Sequence, residues 1–321
     1  MIDNKTILLT GGTGTFGRCF TRILLSRYNP KVIRIYSRDE LKQWEMQKEF
    51  LHNNNLRFFL GDIRDKERMN RAVDGVDIII HSAALKQVPA CEYNPFEAVK
   101  TNILGAQIII DEAINHNAEK VLALSTDKAV SPVNLYGATK LCMEKLFIAA
   151  NAYVGDRPTK MSCVRYGNVI GSRGSVIPLF KEQMKKNGTI TITHKEMTRF
   201  WLTIEQGVEF VIKSLELMQG GEIFIPKVPS MRIMDLADAM APNCERKYIG
   251  IRPGEKVHEC LITEDEARHT KEYEDYFIIE PELYYNERRT NPGKTLPRDF
   301  KYSSNTNNTW LTKEQLIEYT I

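Results

Sequence analysis

The sequence predicts an α/β protein: a doubly wound parallel sheet with a smaller α/β region towards the C-terminus. Three observations predict it. Short β-rich runs alternate with helical segments through the first half, the pattern of parallel strands joined by helical crossovers. A glycine-punctuated turn, Thr10-Gly-Gly-Thr-Gly-Thr-Phe-Gly17, separates the first such run from the first helix. The 321 residues are 42% hydrophobic, enough for a large core in about two domains or one enlarged α/β unit.

Taken in order, Lys5–Leu9 reads as a strand and Gly17–Arg27 as the helix behind it. Val32–Tyr36 is the second strand, and Leu41–Leu51 a helix with Ser37 and Glu40 at capping-box spacing. Leu56–Leu60 and Asp77–His81 are further short strands. Val121–Ser125 follows, with a long helix over Tyr136–Asn151, then a strand over Ser162–Tyr166. Beyond it the pattern loosens into a Gly-punctuated loop over 167–174, helices at Val176–Lys186 and Ile204–Met218, and strands near Glu222–Ile225, Lys247–Ile251 and Tyr276–Ile279. The polar tail Glu287–Asn308, which includes Pro292 and Pro297, is expected to run as an extended surface segment. No repeat or low-complexity segment interrupts this order.

Charge and cysteine usage exclude some function classes. Lys and Arg number 44 against 41 Asp and Glu, and a net charge of +3 gives no reason to expect nucleic-acid binding. The six cysteines (Cys19, Cys91, Cys142, Cys163, Cys244 and Cys260) form no CxxC and several lie in apolar segments, which fits a reduced cytoplasm. Neither a signal-peptide core nor an apolar run long enough for a bilayer is present, so no membrane is expected. His258-Glu259 resembles the start of a zinc-binding helix motif, but Ile262 stands where the second His should be, and no metal is expected.

The glycine turn has the right context for a Rossmann-type dinucleotide site, because a strand precedes it and a helix follows. Gly11 permits the tight turn, Gly14 lets backbone approach a pyrophosphate, and Gly17 lets the helix pack on the strand. Thr13, Thr15 and Phe16 complete the loop, and the helix N-terminus faces the anion. An NAD site usually ends its second strand with an acid for the ribose diol, whereas this one ends Ile35-Tyr36-Ser37-Arg38. Ser37 and Arg38 suit a 2′-phosphate, so NADP is expected. Asp39 could serve the diol instead, although a negative charge in the first turn of a helix is an equally good role for it. Asp62 and Ile63 after the third strand, and Ser82, Ala83 and Ala84 after the fourth, would flank adenine and ribose. Residues 1–166 are thus expected to form the NADP-binding domain. Residues 167–321 would form mainly the substrate-binding region, with some segments returning to the core.

The chemistry sits in Ser125-Thr126-Asp127-Lys128 and Tyr136-Gly-Ala-Thr-Lys140. A Tyr one helical turn before a Lys suits proton and hydride chemistry at an alcohol carbon. The charge of Lys140 would lower the phenol's pKa, so that Tyr136 takes a hydroxyl proton as hydride leaves the carbon. The neighbouring acid and amine exceed what alcohol oxidation needs. They suggest loss of a leaving group and transfer of a carbon-bound proton, which points to a dehydratase. Lys128 can act as a base only if burial or neighbouring cations, Lys140 among them, lower its pKa.

With the glycine motif, Asp62, Ala83 and the Tyr136/Lys140 pair in this order, the chain resembles the extended short-chain dehydrogenase/reductases that modify nucleotide sugars. More narrowly, it is similar to the inverting UDP-N-acetylglucosamine 4,6-dehydratases that begin pseudaminic acid synthesis. The resemblance runs nearly end to end, through Tyr36–Gln43, Ala84–Pro89, Ser125–Lys128, Arg165–Ser175, Met197–Trp201, Ile251–Lys256 and the tail around Tyr302 and Asn308–Leu311. Retaining relatives are known for Thr-Asp-Glu where this chain has Thr126-Asp127-Lys128. The resemblance implies that Tyr136, assisted by Lys140 and Thr126, takes the 4-hydroxyl proton. Lys128 then removes the C5 proton while Asp127 protonates the departing 6-hydroxyl. C5 is finally reprotonated from the opposite face, and a tightly bound NADP is recycled within each turnover. The resemblance also implies a homo-oligomer, with a hexamer as the candidate assembly. Some relatives carry N-terminal membrane helices, but this chain starts almost at its first strand and is expected to be soluble.

For the substrate, Arg173, Arg199 and Arg252 lie in loops of the second half and could clamp a diphosphate, and Lys86 could line the site. By resemblance, Asn168 and Glu255 would contact UDP-N-acetylglucosamine. Two other readings stay open. One is a sister enzyme, either a dehydratase for capsule or O-antigen sugars or an epimerase, although epimerisation needs only the Tyr/Lys pair. The other is a non-catalytic NADP-binding sensor.

Overall fold

The computed structural model describes residues 1–171, 175–282 and 292–319, and the backbone alone at Asn187. Six parallel strands form its centre: β1 (Thr6–Thr10), β2 (Val32–Ser37), β3 (Leu56–Leu60), β4 (Ile78–His81), β5 (Lys120–Thr126) and β6 (Lys160–Tyr166). Their spatial order is β3-β2-β1-β4-β5-β6. Winding therefore reverses between β1 and β4, and a crevice for ligands opens there at the carboxyl ends of the strands. Every residue of β1 and β4 is buried, as expected for strands covered by helices on both faces.

The crossovers are α1 (Thr15–Arg27), α2 (Glu40–Glu49), α3 (Lys66–Val73), the short α4 (Val88–Tyr93) and α5 (Pro95–Val99), α6 (Gly105–Asn115) and α7 (Leu135–Ala150). A π-helical turn, Lys100–Leu104, joins α5 to α6. It positions Asn102, whose side chain donates to Leu85 O and accepts from Leu85 N–H, which pins the loop after β4.

The second half returns to this sheet. Ile223–Pro226 pairs parallel with β6; Tyr276–Ile279, Thr270–Glu272 and Lys294–Thr295 extend the sheet antiparallel, giving ten strands among the described residues. A smaller α/β region has its own core, in which Phe180, Ile190, Trp201, Met231 and Leu236 pack together. Helices Val176–Asn187 and Ile233–Met240 flank that core, and strands Thr189–Ile192 and Glu245–Tyr248 pair parallel within the region. The fold is thus a Rossmann-type doubly wound sheet with a smaller α/β region. No helix among the described residues is long and apolar enough to cross a membrane.

Three expectations are corrected. The cap of α2 is Asp39, which accepts from Lys42 N–H at 3.0 Å, and not a Ser37/Glu40 box. Ser37 cannot cap because it ends β2 and its carbonyl and hydroxyl oxygens accept from Gln43 Nε2. The strand expected at Lys247–Ile251 is Glu245–Tyr248 and lies outside the central sheet. The tail, part of which lies outside the described residues, is not a detached surface segment. Tyr302–Ser303 pairs antiparallel with Cys260–Ile262. The Tyr302 ring lies 4.7 Å from that of Phe200 and 5.2 Å from that of Phe277, and its hydroxyl donates to Val228 O and accepts from Val228 N–H. An aromatic ring with its polar end satisfied stabilises more by burial than its polar neighbours do by exposure.

Candidate active site

The glycine turn builds the floor of the larger cleft. Gly11 has φ +67°, and a Cβ there would lie 2.9 Å from backbone atoms of Ala83, so the ends of β1 and β4 meet in direct contact. A Cβ at Gly17 would lie 2.2 Å from Gly12 O, which leaves glycine as the only fit between α1 and the turn. Gly14 caps α1 with no side-chain hydrogen bond, and the first turn has no acidic residue. The free N–H groups of that helix end therefore remain available to an anion. Thr13, Thr15 and Phe16 line the same cleft of about 650 Å³, together with Ser37, Arg38, Asp62, Ile63, Ala83, Ala84 and Lys86. Such a floor fits a dinucleotide diphosphate.

At the end of β2 the acid lines the cleft but is already engaged. Asp39 holds the α2 N-terminus and pairs with Lys42, while Lys42 itself lines the cleft beside Arg38. Asp62 accepts three hydrogen bonds from Arg64: two from the guanidinium, at 2.7 and 3.0 Å, and one from the backbone N–H at 3.0 Å. Burial works against its ionisation, but Arg64 outweighs it and holds the carboxyl below its ordinary range. Arg38 lies 3.7 Å from the same carboxylate and is largely exposed, free to swing towards a ligand.

β5 ends in Thr126 and runs directly into a 3₁₀ turn, Asp127–Ala129. Thr126 Oγ1 donates to Asp127 Oδ1 at 2.8 Å and accepts from Lys128 N–H. Lys128 Nζ donates to the same Asp127 Oδ1 at 3.0 Å. Asp127 is fully buried, and its Oδ2 has no partner. The turn abuts α7 so closely that a Cβ at Gly137 would sit 2.1 Å from Lys128 O. Asn134 caps α7 by accepting from Gly137 N–H at 2.7 Å, fixing the helix start that carries Tyr136. Thr126, Lys128, Tyr136 and Lys140 all line the cleft.

The electrostatics differ from the expectation in two places. Lys140 Nζ is buried and donates to Leu124 O at 2.6 Å; burial brings it down to about 8. The cation whose charge acts on the phenol is Lys128 instead. Burial pushes Tyr136 up to about 12, and the charge of Lys128 and a hydrogen bond with Thr126 oppose that rise. Lys128 was expected to be depressed. Burial does pull it down, but the charges of Asp127 and Glu259 outweigh burial and hold it above its ordinary value. Lys86, by contrast, is lowered by desolvation and by the charge of Lys128.

A smaller cavity of about 190 Å³ adjoins the cleft, sharing Asn168, Val169 and Ser175 with it. Arg199, Trp201, Arg252, Glu255, Thr191 and Thr193 complete much of its wall. Arg199 donates to the carbonyls of Thr198, Lys256 and Val257, so several of its donors are already used within the fold. The Arg252 N–H donates to Glu255 Oε2, while its side chain is exposed at the cavity. Asn168 lines both cavities, and its Oδ1 is buried without a hydrogen-bond partner. Arg173 lies outside the described residues. Sequence reasoning missed Lys42, Gly137 and, above all, Glu259, which lies 3.6 Å from Lys128 Nζ. Only the His258-Glu259 pair drew attention to that carboxylate. His258 turns instead to Thr198, with Nδ1 2.9 Å from Oγ1.

Comparison with known proteins places this geometry. Residues 7–281 match the family described as polysaccharide biosynthesis protein. The inverting UDP-N-acetylglucosamine 4,6-dehydratase of Campylobacter jejuni is 50% identical over 327 residues, covering 99% of this chain and 98% of the relative. A UDP-glucose 4-epimerase of Rickettsia conorii is 43% identical over 286 residues, covering 87% and 84%. The crystal structure of Pen from Bacillus thuringiensis superposes with a TM-score of 0.91 at 40% identity, covering 99% and 98%. The chain belongs to the polysaccharide biosynthesis protein family, within the extended short-chain dehydrogenase/reductases.

Proposed function

We propose that this chain is an inverting UDP-N-acetylglucosamine 4,6-dehydratase, a carbon–oxygen lyase. One observation supports it most: Lys128 lines the cleft with Thr126 and Tyr136 and, directly behind that wall, donates to the buried carboxylate of Asp127 at 3.0 Å. A Tyr with a Lys suffices to oxidise an alcohol; an acid and an amine beside them suit elimination.

The bound nicotinamide cofactor would supply the hydride acceptor for C4 and the donor for C6. Ser37, Arg38 and Lys42 favour NADP, since two cations meet at the cleft where a 2′-phosphate would lie and Asp39 is occupied by the helix cap. The charge of Lys128 and the Thr126 hydrogen bond favour the phenolate form of Tyr136, which as the base receives the 4-hydroxyl proton and becomes the neutral phenol. The 4-ketone makes the C5 proton acidic. A proton crossing the 3.0 Å contact from Lys128 Nζ to Asp127 Oδ1 leaves a neutral amine beside a protonated acid. The amine then takes the C5 proton, and the acid protonates the departing 6-hydroxyl as water. Lys140 holds the end of β5 through Leu124 O. Asn168, Arg252 and Glu255 would contact the UDP-sugar in the adjoining cavity. The product, UDP-2-acetamido-2,6-dideoxy-β-L-arabino-hex-4-ulose, would enter pseudaminic acid synthesis.

A second reading, C4 epimerisation, is favoured by the Rickettsia relatives. Proton NMR of the reaction with UDP-N-acetylglucosamine in deuterated water, without added NADP, separates the two. A 6-deoxy-4-keto product with deuterium at C5 and L-arabino couplings is expected. A C4 epimer without loss of water would overturn the dehydratase reading, and D-xylo couplings would overturn inversion.

A further inference from the structure

Glu259 is a buried carboxylate that the reaction above leaves unused. Its side chain is 3% exposed, and its Oε2 makes no hydrogen bond. The backbone is pinned by the returning tail: its N–H donates to Ser304 Oγ at 2.9 Å, and its carbonyl accepts from Ser304 N–H and Ser303 Oγ. Three cations surround the carboxylate. Lys128 Nζ is 3.6 Å away, Lys256 Nζ 3.8 Å and Arg199 Nε 3.9 Å. Glu259 does not line either cavity, so it reaches a substrate only through Lys128.

We propose that Glu259 is a positioning residue for Lys128, a second carboxylate beside Asp127 that stabilises the ammonium formed when Lys128 takes the C5 proton. The proposal rests on the dehydratase reading for its catalytic meaning, whereas the effect on Lys128 itself does not. Lys128 has one electron pair to give. Once it holds the carbon's proton, Asp127 has passed its own proton to the leaving oxygen, and both carboxylates then face the new ammonium. An opposite charge at this range favours the charged form by about 1–3 pKa units. The other charged or titratable groups around the pair are Lys86, Tyr136, Lys256 and Arg199, the last also 3.6 Å from Glu255. Burial raises the Glu259 carboxyl and Asp127 adds to the rise, while the cations draw it back towards the ionised form.

Two readouts on Glu259→Gln test this. Competitive trace acetylation at pH 8, followed by mass spectrometry of the peptide carrying Lys128, measures the neutral amine without turnover. The variant should acetylate Lys128 about ten-fold faster or more, since one pKa unit is a ten-fold change in neutral amine. The acid limb of kcat against pH should move to lower pH by about one unit or more, with a lower plateau because a weaker base accepts the proton. Glu259→Asp, which keeps the charge, should fall between the two proteins in both readouts, and it serves alone if Glu259→Gln does not fold. Unchanged acetylation of Lys128 would overturn the proposal, as would an unmoved acid limb. Wild-type enzyme that forms no 6-deoxy-4-keto product would overturn the dehydratase reading instead, leaving the acetylation result to decide the role of Glu259.

Discussion

Gly137→Ala is the most informative single perturbation, because it moves the triplet without touching any reactive group. The new Cβ would lie 2.1 Å from Lys128 O and 3.0 Å from Lys128 C, both backbone atoms that cannot rotate away. Relief to ordinary contact requires the Asp127–Ala129 turn and the start of α7 to separate by about 1 Å, and overpacking of this kind costs about 1–3 kcal/mol. Alanine is intrinsically the better helix former by about 1 kcal/mol. Net stability therefore changes by only about 0–2 kcal/mol, and the protein should fold. Catalysis should suffer far more, since a misplacement of about 1 Å typically costs about 10²-fold. Initial rates of 6-deoxy-4-keto product formation, together with cofactor binding by fluorescence and a thermal melt, check this. Cofactor affinity should stay within about two-fold, because the glycine turn at α1 lies elsewhere in the cleft. A Gly137→Ala enzyme with full turnover would refute the claim that this packing contact sets the geometry of Lys128 against Tyr136.

Lys128→Ala should lower kcat by about 10²–10⁴-fold and slow deuterium incorporation at C5 to the same extent while leaving cofactor binding intact, as measured by NMR and fluorescence. Arg38→Ala should weaken NADP by about ten-fold or more without weakening NAD, measured by calorimetry, because a charge-assisted hydrogen bond to the 2′-phosphate contributes about 1.5–3 kcal/mol. Arg165→Met should destabilise the fold by about 3–5 kcal/mol in denaturant titration. Its guanidinium is buried, donates twice to Glu144 at 2.7 and 3.0 Å and once to Glu266, and removing it leaves buried carboxylates uncompensated. Glu266 also sets a pH dependence. Burial opposes its ionisation, but Arg165 outweighs burial and depresses the folded pKa below 4.5. Its contribution is therefore present above pH 4.5 and lost as pH falls through the depressed folded value. Arg165→Met should flatten that part of the stability curve.

Much of the fold was legible because its signals are local. The glycine turn and the apolar runs of β1 and β4 each lie within a few residues of one another. The tail was misread for the opposite reason. Its polar composition suggested a surface segment, yet Tyr302, Ser303 and Ser304 are buried against strands far away in sequence. The cap of α2 was misread by two residues, because Ser37 is consumed by Gln43 from the following helix, a competition that spacing cannot reveal.

The sequence by itself determined the order of strands and helices and the glycine floor of the cleft. It also determined the adjacency of Asp127 to Lys128 and the one-turn spacing of Tyr136 from Lys140. These are covalent or single-element relations, so backbone geometry enforces them wherever the chain folds. Only the tertiary structure decided that Lys140 donates to Leu124 O, that Arg199 donates to three backbone carbonyls, and that Glu259 faces Lys128. Protonation and free hydrogen-bonding capacity depend on which charges and carbonyls lie within about 4 Å through space, and that distance is set by packing between segments remote in the chain.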